Sequence, residues 1–333
     1  MDKPLIMHLV TALLALLIER AFGYPRALQR AVGHPVEWMG AMIAWADARF
    51  NRSTLPPAAR VVLGALVMLA LVVFWGGLAW LIGSWLPWWA QGVLASTLLA
   101  QRSLTEHVRA IIDALDARAS GDLSPARRAL SMIVGRDTAR FDESEIAHAT
   151  VESLAENASD GIIAPLFWLA VLGLPGIVVY KLVNTADSMI GHLDDRHAHF
   201  GKAAARLDDA LNIIPARLTG LLYALAATLF KGVKAGRRTL ATSWRDARKH
   251  VSPNAGWPES AMAGALDIRL GGPRSYAGRV VDFPWLGDGR KDLSRADIEA
   301  ALVLHERMLW LVAAIMALMV LLALAADTPA IFH

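Results

Sequence analysis

The sequence predicts an all-α, polytopic integral membrane protein with about five to six membrane helices and further amphipathic helices in its polar loops. Hydrophobic residues make up 55% of the 333 residues and charged residues only 19%, which is too apolar for an ordinary soluble domain. Several stretches approach the length of about 20 apolar residues that a membrane helix needs. Long polar segments separate them, so we expect a single membrane domain over 1–333 rather than a bare helix bundle.

Six stretches are candidates for crossing a bilayer. The first, "LIMHLVTALLALLIERAFGYP", lacks a small-residue cleavage site and is expected to be an anchor rather than a removable signal peptide. The stretch 90–100 is a short return after the aromatic turn "WLPWW", and 162–182 is interrupted by "GLPG". The other candidates are 61–84, 214–230 and 308–326.

Lys and Arg residues are distributed unevenly over the polar loops 23–60, 101–161, 183–213 and 231–307. They number five, seven, three and fourteen in these loops, in that order. Because cytoplasmic loops carry an excess of Lys and Arg, the three richer loops are expected in the cytoplasm. Six crossings with both termini outside satisfy this rule, but they leave 183–213 outside.

The composition excludes several classes of function. The chain has no cysteine, so it has no disulfide, no thiolate metal site and no cysteine nucleophile. Its basic residues lie beside apolar stretches rather than on a basic, aromatic-rich soluble face, so nucleic-acid binding is not expected. The expected partner is the lipid bilayer.

Local signals predict helices inside the loops. Apolar residues recur at intervals of three and four in "EHVRAIIDALDARASGDLSPARRALSMIVG", where Ser124 is a predicted N-cap with Pro125 at the first helical position. The segment "GVKAGRRTLATSWRDARKH" predicts a basic helix along the membrane surface. "HPVEWMG" predicts a helix with Pro35 at its first position, where His34 is a ligand, a base or, as is commoner for a lone histidine, structural.

An acidic ladder precedes an apolar stretch in "HATVESLAENASDGIIAPLFW". His148, Glu152, Glu156 and Asp160 recur every four residues and share one slowly drifting stripe of a helix. For an isolated acidic helix, a solvated face is the commoner explanation. Ionisable groups at the edge of the lipid indicate function, however, and carboxylates beside the Asn157 oxygen suit Mg²⁺.

Two further polar groups flank other apolar stretches. Lys181, Asn184 and Asp187 are spaced three apart, so they share a helix face. The alternative is that Lys181 and Asn184 only cap a helix or snorkel. The second polar group consists of Arg206, Asp208, Asp209, Asn212 and Arg217. Its Asp and Arg side chains either hold a metal–phosphate pair or neutralise one another's charge.

Two loop motifs complete the candidates. "SPNAGWPESAMAGALDIRLGGPRSYAGR" predicts tight turns, and Gly271–Gly272–Pro273 would let backbone N–H groups approach an anion, although the chain has no Walker A motif. "DRHAHFG" nearly matches the Asp-x-His-x-x-Gly signature that supplies a lower cobalt ligand in some corrinoid proteins. It has one residue too many and no surrounding βαβ pattern, so it receives little weight.

Together these motifs resemble the adenosylcobinamide-phosphate synthase family, the CbiB/CobD membrane proteins of adenosylcobalamin biosynthesis. The resemblance runs from the first apolar stretch to about Gly287 and rests on "HPVEWMG", "VGRDTARFDESEIAHATVESLAENASDGIIAPLFW", "KLVNTADSMIG", "FGKAAARLDDALNIIPARLTG" and "SPNAGWPESAMAGALDIRLGGP". The AmpE-like proteins, linked to β-lactamase regulation, are a more distant branch. The full "ESLAENASDG" and "SPNAGWPE" blocks are those of the biosynthetic branch.

The resemblance implies a ligase that forms an amide bond. It would join the free propionate carboxylate of adenosylcobyric acid to (R)-1-amino-2-propanol or its O-phosphate, giving adenosylcobinamide or its phosphate. Activation of the carboxylate implies ATP as co-substrate and Mg²⁺, with an acyl phosphate that the amine attacks. The alternatives are a non-catalytic corrinoid transporter, a membrane scaffold for other cobalamin-pathway enzymes, and an AmpE-like signalling protein. The sequence does not decide whether the chain forms a homo-oligomer.

The resemblance and this chemistry together give the expected site residues. The expected metal ligands are Glu152, Glu156, Asn157, Asp160, Asp208 and Asp209. The expected catalytic residues are Glu152, Glu156, Asp160, Asp187 and His148, with Asp187 or His148 as the base that deprotonates the amine. The expected substrate- and phosphate-binding residues are Arg136, Lys181, Asn184, Arg206, Arg217 and Asn254. Trp38 and Trp257 either pack against the corrin or, more commonly for such residues, pack at the membrane interface.

The expected location is the inner membrane of a bacterial cell, with the active site open to the cytoplasm. The six-crossing arrangement conflicts with this, because it places Asn184 and Asp187 outside. Either 162–182 re-enters the membrane by turning at "GLPG", or the polar ends reach into a water-filled cavity open to the cytoplasm. The cavity is the favoured explanation, since the positive charges of 231–307 argue against reversing the later crossings.

Overall fold

The computed structural model describes residues 3–117, 121–135, 137–276 and 279–327. This part of the chain is helical almost throughout, which confirms the predicted all-α class. Its α-helices are α1 (Lys3–Phe22), α2 (Arg26–Val32), α3 (Pro35–Phe50), α4 (Pro57–Trp85), α5 (Trp88–Ser96), α6 (Gln101–Asp116), α7 (Ser124–Leu130), α8 (Glu143–Ala158), α9 (Ala164–Ile190), α10 (Lys202–Lys231), α11 (Val233–Asp246), α12 (Gly256–Leu266) and α13 (Arg295–Asp327). A π-helical turn, Ser159–Ile163, joins α8 to α9, and a 3-10 turn, Ala247–Lys249, follows α11.

Short strands lie between α12 and α13. They are β1 (Leu270–Gly271), β2 (Arg274–Tyr276), β3 (Arg279–Val281) and β4 (Trp285–Leu286). β1 pairs antiparallel with β4, and β2 pairs antiparallel with β3. The sequence predicted tight turns here but not these pairings.

Five helical segments are long and apolar enough to cross a membrane, judged by length and composition. They are Pro4–Phe22, Pro57–Trp85, Glu143–Ile190, Lys202–Lys231 and Arg295–Ala326. The stretch 90–100 does not form a sixth, because α5 has only nine residues. Nine helical residues span about 14 Å, less than half of a hydrocarbon core of about 30 Å. The six-crossing arrangement therefore loses one of its crossings.

The segment Glu143–Ile190 is broken at the predicted "GLPG" interruption. Gly173 has φ +66° and ψ −154°, a left-handed conformation that glycine adopts without the strain a Cβ would cause, and Pro175 follows it. A Cβ atom at Gly176 would lie 2.2 Å from the Trp168 carbonyl oxygen. Eight residues of straight helix would separate these positions by about 12 Å, so the chain bends sharply at Gly173.

Both sides of this bend contact the same turn of α10. Trp168 Nε1 donates a hydrogen bond to the Leu211 carbonyl oxygen at 3.1 Å. The Tyr180 hydroxyl donates to Asn212 Oδ1 at 2.9 Å. The stretch 162–182 is therefore an angled pair of helical segments and not one straight crossing.

The chain forms two compact units. The first contains the described residues of 1–100, 164–212 and 313–333. In this unit α9 is central and packs against α1, α3, α4 and α5, while α1 also packs against α5. The sequence assigned 183–213 to a polar loop, which is wrong in extent, because α9 continues to Ile190 and α10 begins at Lys202.

The second unit contains the described residues of 101–163 and 213–312. The predicted amphipathic helices of 101–161 are present, and α6 packs against α7 and α8 through a buried stripe that includes Val108 and Ile111. The predicted Ser124 cap is displaced by one residue. Ser124 begins α7, and Asp122 Oδ1 accepts the hydrogen bond of its N–H at 2.9 Å. The predicted basic helix is α11, whose small residues pack against α12.

A buried carboxylate ties the end of α11 to the loop that follows β4. The Asp246 side chain is 1% exposed and accepts hydrogen bonds from Arg245, Lys249 and the Gly287 N–H. Burial alone would raise the pKa of Asp246, but these three donors outweigh it and hold the pKa well below its ordinary value. The folded second unit therefore favours the ionised carboxylate.

Asp246→Asn is expected to destabilise the protein by about 1–3 kcal/mol, because charge-assisted hydrogen bonds to a buried carboxylate are lost. The ordinary pKa of aspartate is about 3.9, and the folded value lies below it. The stabilisation is therefore fully present above about pH 5 and is lost as the pH falls below about 4. Thermal unfolding in detergent between pH 3 and 7 measures both effects. Asp113→Asn, on the exposed face of α6, is the control, and equal unfolding temperatures for the two variants would contradict the prediction.

Candidate active site

The ends of α9 and α10 bring a connected set of polar side chains together in the first unit. The Asp208 carboxylate accepts one hydrogen bond on each oxygen, from Asn184 Nδ2 (3.2 Å) and from Asn212 Nδ2 (3.0 Å). Asn212 is oriented by the Tyr180 hydroxyl, which donates to its Oδ1. Tyr180 and Asn212 are each only 1% exposed, so the core of the unit holds the Asp208 carboxylate in one position.

Two more carboxylates lie close to Asp208. Asp187, near the end of α9, and Asp209, next to Asp208 on α10, are near enough for the three charges to interact. Gly191 lies against Asp187, because a Cβ atom at Gly191 would be 2.0 Å from Asp187 Oδ1. Arg206 forms a long ion pair with Asp209, at 3.8 Å. The structure thus brings four predicted site residues together with Asn184.

His34 is the N-cap of α3. Its ring Nδ1 accepts a hydrogen bond from the Val36 backbone N–H at 3.2 Å. The backbone N–H of His34 donates to Glu37 Oε2 at 2.9 Å. Burial lowers the pKa of His34. The charge of Glu37 acts to raise this pKa, and the nearby charge of Lys181 lowers it further. Of the predicted alternatives for His34, the structure shows the structural one. Lys181 lies near this capped helix start.

His197 in the "DRHAHFG" segment is held by carboxylates. Its Nδ1 is 3.0 Å from Asp194 Oδ2, and its Nε2 is 3.6 Å from Asp47 Oδ2. The hydrogen bonds from His197 hold the pKa of Asp194 below its usual range. Because a carboxylate faces each ring nitrogen, His197 is a poor candidate for a lower cobalt ligand, in agreement with the little weight given to the motif.

The first half of the acidic ladder lies in the second unit, on α8. His148 Nε2 is 2.6 Å from the Lys291 carbonyl oxygen, and Glu152 Oε1 accepts the Gly271 N–H at 2.7 Å. A carbonyl oxygen only accepts, so His148 Nε2 carries hydrogen, and in the neutral ring Nδ1 carries the lone pair. Both side chains, with Trp285, line a cavity of about 370 Å³. This half of the ladder is therefore tied to the loop that precedes α13.

The second half of the ladder lies further along the same helix. Glu156 is exposed, and Asn157 Nδ2 donates to the carbonyl and hydroxyl oxygens of Ser153 at 2.9 and 3.2 Å. Asp160 is in the π-helical turn, a helix type that often marks functional sites. Neither Glu156 nor Asp160 lines the cavity beside His148. The four ladder residues do not share that one cavity.

The glycine turn after α12 binds a carboxylate of the protein itself. Gly271 and Gly272 have φ +78° and +77°, as the sequence of the turn requires. The Gly271 N–H is used by Glu152, and the Gly272 N–H donates to the Pro284 carbonyl oxygen at 3.3 Å. The Gly271 N–H therefore approaches an anion, as the turn predicted, and that anion is the carboxylate of the protein's own Glu152.

Arg217 and Asn254 form a packed group with Trp257 in the second unit. Arg217 Nη1 donates to the Ile213 carbonyl oxygen at 2.7 Å and approaches Asn254 Oδ1 at 3.5 Å. Its guanidinium carbon is 4.8 Å from the centroid of the Trp257 ring, in cation–π range. Trp257 is only 8% exposed, which favours packing over contact with a corrin. Trp38 is 45% exposed and donates to the Val32 carbonyl oxygen.

The predicted residue Arg136 lies outside the described residues. Among the residues that the structure does describe, no group of three or more His, Asp or Glu side chains is placed to hold a metal ion. Mg²⁺ often binds through only one or two carboxylates plus substrate phosphates and water. The oxygen donors Asp187, Asp208 and Asp209 suit that mode, and the metal assignment stays a prediction.

Sequence reasoning missed several residues that shape these sites. Tyr180 was not recognised, although a polar aromatic group four residues before Asn184 is on the same helix face. Lys291 and Trp285 line the cavity beside His148, and both come from a loop about 140 residues further along the chain. No local spacing relates such distant positions, so only the tertiary fold reveals them.

Known proteins are similar to this chain over most of its length. A family model described as CobD/Cbib protein matches residues 12–305. The cobalamin biosynthesis protein CobD of Brucella suis biovar 1 is 48% identical over 98% of this chain and 99% of its own length. Proteins of the same name from Rhodobacter capsulatus and Rhizobium meliloti are 49% and 44% identical, over 87% and 88% of this chain and 90% and 91% of their own. No solved structure matches the chain.

The matched region contains both polar groups, the one around Asp208 and the ladder on α8. It also contains the Gly271 turn that binds Glu152. The family match and the identities over nearly the whole chain agree with the resemblance seen in the motifs. The chain belongs to the CobD/CbiB family.

Proposed function

We propose that this protein is a membrane-bound ligase of cobalamin biosynthesis. It joins the free propionate carboxylate of adenosylcobyric acid to (R)-1-amino-2-propanol or its O-phosphate, in an ATP- and Mg²⁺-dependent reaction. The observation that carries the proposal is the 48% identity, over nearly the full length of both chains, to a protein named for cobalamin biosynthesis.

The reaction is proposed in two steps. A propionate oxygen attacks the γ-phosphorus of ATP, and ADP leaves with the electrons of the broken bond. The amine nitrogen then attacks the carbonyl carbon of the acyl phosphate, and inorganic phosphate leaves as the amide forms. The ammonium loses one proton to a base before the attack. Phosphoryl transfer of this kind depends on positioning and charge neutralisation, which fixed polar groups supply.

The Asp208 network is the proposed metal–phosphate end of the site. When bound there, Mg²⁺ would neutralise phosphate oxygens and polarise the transferring group. Asn184 and Asn212 hold both oxygens of Asp208 in place before any ligand arrives, so little reorganisation accompanies binding. Asp187 and Asp209 would add oxygen donors, and Arg206 a positive charge beside them.

The two proposed bases are His148 and Asp187. His148 Nε2 faces the Lys291 carbonyl oxygen, and its Nδ1 is buried with no hydrogen-bonding partner among the described residues. Asp187 is the alternative, because it lies at the acidic group where the phosphate is proposed to bind.

The alternative functions are a corrinoid transporter, a pathway scaffold and an AmpE-like signalling protein. A transport path requires ionisable groups inside a spanning bundle, and a scaffold requires none. The buried Tyr180–Asn212–Asp208 network favours a fixed site over either, since it restrains one carboxylate instead of lining a path.

Incubation of purified protein with adenosylcobyric acid, the amine, ATP and Mg²⁺ tests the ligase directly. Absence of both amide product and nucleotide hydrolysis would favour the alternatives.

The site is proposed to open to the cytoplasm of a bacterial cell, from its inner membrane, because ATP is there. Ser188 is exposed at the end of α9 and the chain has no native cysteine, so Ser188→Cys gives a single thiol. A membrane-impermeant maleimide should label it in inverted vesicles and leave it unlabelled in right-side-out vesicles. Ser84→Cys, beside a loop without Lys or Arg, should show the opposite pattern. Labelling of both thiols from the same side would contradict this orientation.

Asp208→Asn is expected to lower kcat/KM by about 100-fold or more, because a fixed charge is removed with little change in shape. Amide product measured at saturating ATP and Mg²⁺ gives the effect. Asp195→Asn, on the exposed loop between α9 and α10, is the matched control and should retain normal activity. An unfolding temperature close to that of the unmodified protein separates loss of chemistry from loss of fold. Normal turnover by Asp208→Asn would remove the α9–α10 group from the site.

Glu156→Gln and Asp160→Asn should each abolish turnover while the protein stays inserted in the membrane. Glu152→Gln provides a contrast, because its amide oxygen can still accept the Gly271 N–H, so the fold should survive. If Glu152 acts only through this hydrogen bond, Glu152→Gln stays active and Glu152→Ala loses stability. Near-normal product formation by both Glu156→Gln and Asp160→Asn would exclude the second half of the ladder from catalysis.

A further inference from the structure

A cleft in the first unit contains cationic side chains that the predicted site did not include. It has a volume of about 450 Å³ and lies between the end of α9 and the start of α10. Its lining includes Gly191, His192, His199, Lys202, Arg206 and Asp209. Of these, only Arg206 and Asp209 were predicted from the sequence.

Two basic side chains of this cleft have no partner among the residues that the structure describes. Within the described part of the chain, neither Lys202 nor His199 has a hydrogen-bonding or ion-pair partner. Arg206 is 76% exposed and reaches Asp209 only at 3.8 Å. By contrast, Arg196 on the same loop forms an ion pair with Asp47. Positive charge that has no partner in a concave site indicates an anionic ligand.

The backbone adds to this positive potential. Helix α10 begins at Lys202, and its first-turn residues Lys202, Ala205 and Arg206 line the cleft. The unpaired N–H groups at the start of a long helix carry a partial positive charge that favours phosphate. The loop that presents His192 and His199 is closed by His197, which contacts Asp194 and Asp47. The cleft is therefore shaped before a ligand binds.

One wall of the cleft is acidic, as a metal–phosphate site requires. Asp209 lines the cleft directly. Gly191, which also lines it, lies against the Asp187 carboxylate, so that a Cβ atom there would be 2.0 Å from Asp187 Oδ1. Carboxylates on one side and Lys, His and Arg on the other match a phosphate whose charge is shared with a divalent cation.

We propose that this cleft is the phosphoryl-binding subsite of the protein, with Lys202, Arg206 and His199 as its donors. The proposal rests on the proposed ligase function and extends it by naming where phosphate binds. Two substrates supply this chemistry, the terminal phosphates of ATP and the phosphate ester of aminopropanol O-phosphate. The cleft lies beside the acidic group of α9 and α10, so either phosphate would reach the same carboxylates.

Equilibrium binding to inorganic tripolyphosphate and to inorganic phosphate tests the subsite without turnover. Purified full-length protein in detergent is titrated by calorimetry, beside Lys202→Gln, Arg206→Gln and the double variant. Each single variant should bind about tenfold more weakly, equivalent to about 1.4 kcal/mol, and the double variant weaker still. Arg52→Gln, an exposed cation elsewhere in the same unit, should bind like the unmodified protein. Binding unchanged in the double variant, with an unchanged unfolding temperature, overturns the proposal.

Steady-state kinetics then identify the phosphate. If the cleft binds ATP, the double variant raises KM for ATP with either amine. If it binds the amine's phosphate ester, KM rises for aminopropanol O-phosphate and stays constant for free aminopropanol. Amide formation with KM values unchanged for all three overturns the subsite and leaves the ligase function intact. Tripolyphosphate binding that is lost in the double variant, without any amide formation, retains the subsite and rejects the ligase.

Discussion

The Asp208 carboxylate constrains the polar end of the first unit more than any other group. It lies where two long helices, each apolar enough to cross a membrane, reach their polar ends. A carboxylate at such a depth is costly unless both oxygens are satisfied. Asn184 and Asn212 provide this, and Tyr180 fixes Asn212. These hydrogen bonds link the polar end of α9 to the first turns of α10.

The second unit satisfies a carboxylate in another way, with backbone in place of side chains. Glu152 is 6% exposed and accepts the N–H of Gly271, and Asp246 accepts the N–H of Gly287. Both glycines have positive φ, which leaves these N–H groups directed at a neighbouring helix. Two buried acids on α8 and α11 therefore hold opposite ends of the segment between α12 and α13. The glycines and the acids together attach this segment to the two helices, whatever further role Glu152 has in chemistry.

The sequence predicts the fold well where a single physical preference dominates. Apolar length gives the five long segments, and apolar periodicity gives α6 and α7. The break at Gly173 was also predicted, because Gly and Pro together oppose a straight helix. The prediction errs where a polar composition accompanies helical structure. The stretch 183–213 is polar enough to be taken for a loop, yet α9 and α10 extend into it because their polar residues face one another. Contacts such as Glu152 with Gly271 join residues over 100 positions apart, which local patterns do not encode.

The acidic residues differ in the hydrogen bonds that their carboxylate oxygens accept from the protein. Glu152 already holds a backbone N–H, and Asp208 has both oxygens engaged, so each acts mainly by presenting a fixed negative charge. Glu156 is exposed, and Asp209 lines the cleft of the first unit, where Gly191 lies against Asp187. A metal ion that carries its own phosphate ligands needs few protein oxygens, and these must be accessible. Within the first unit, Asp208 therefore presents mainly a fixed charge, and Asp209 is the carboxylate that lines the cleft.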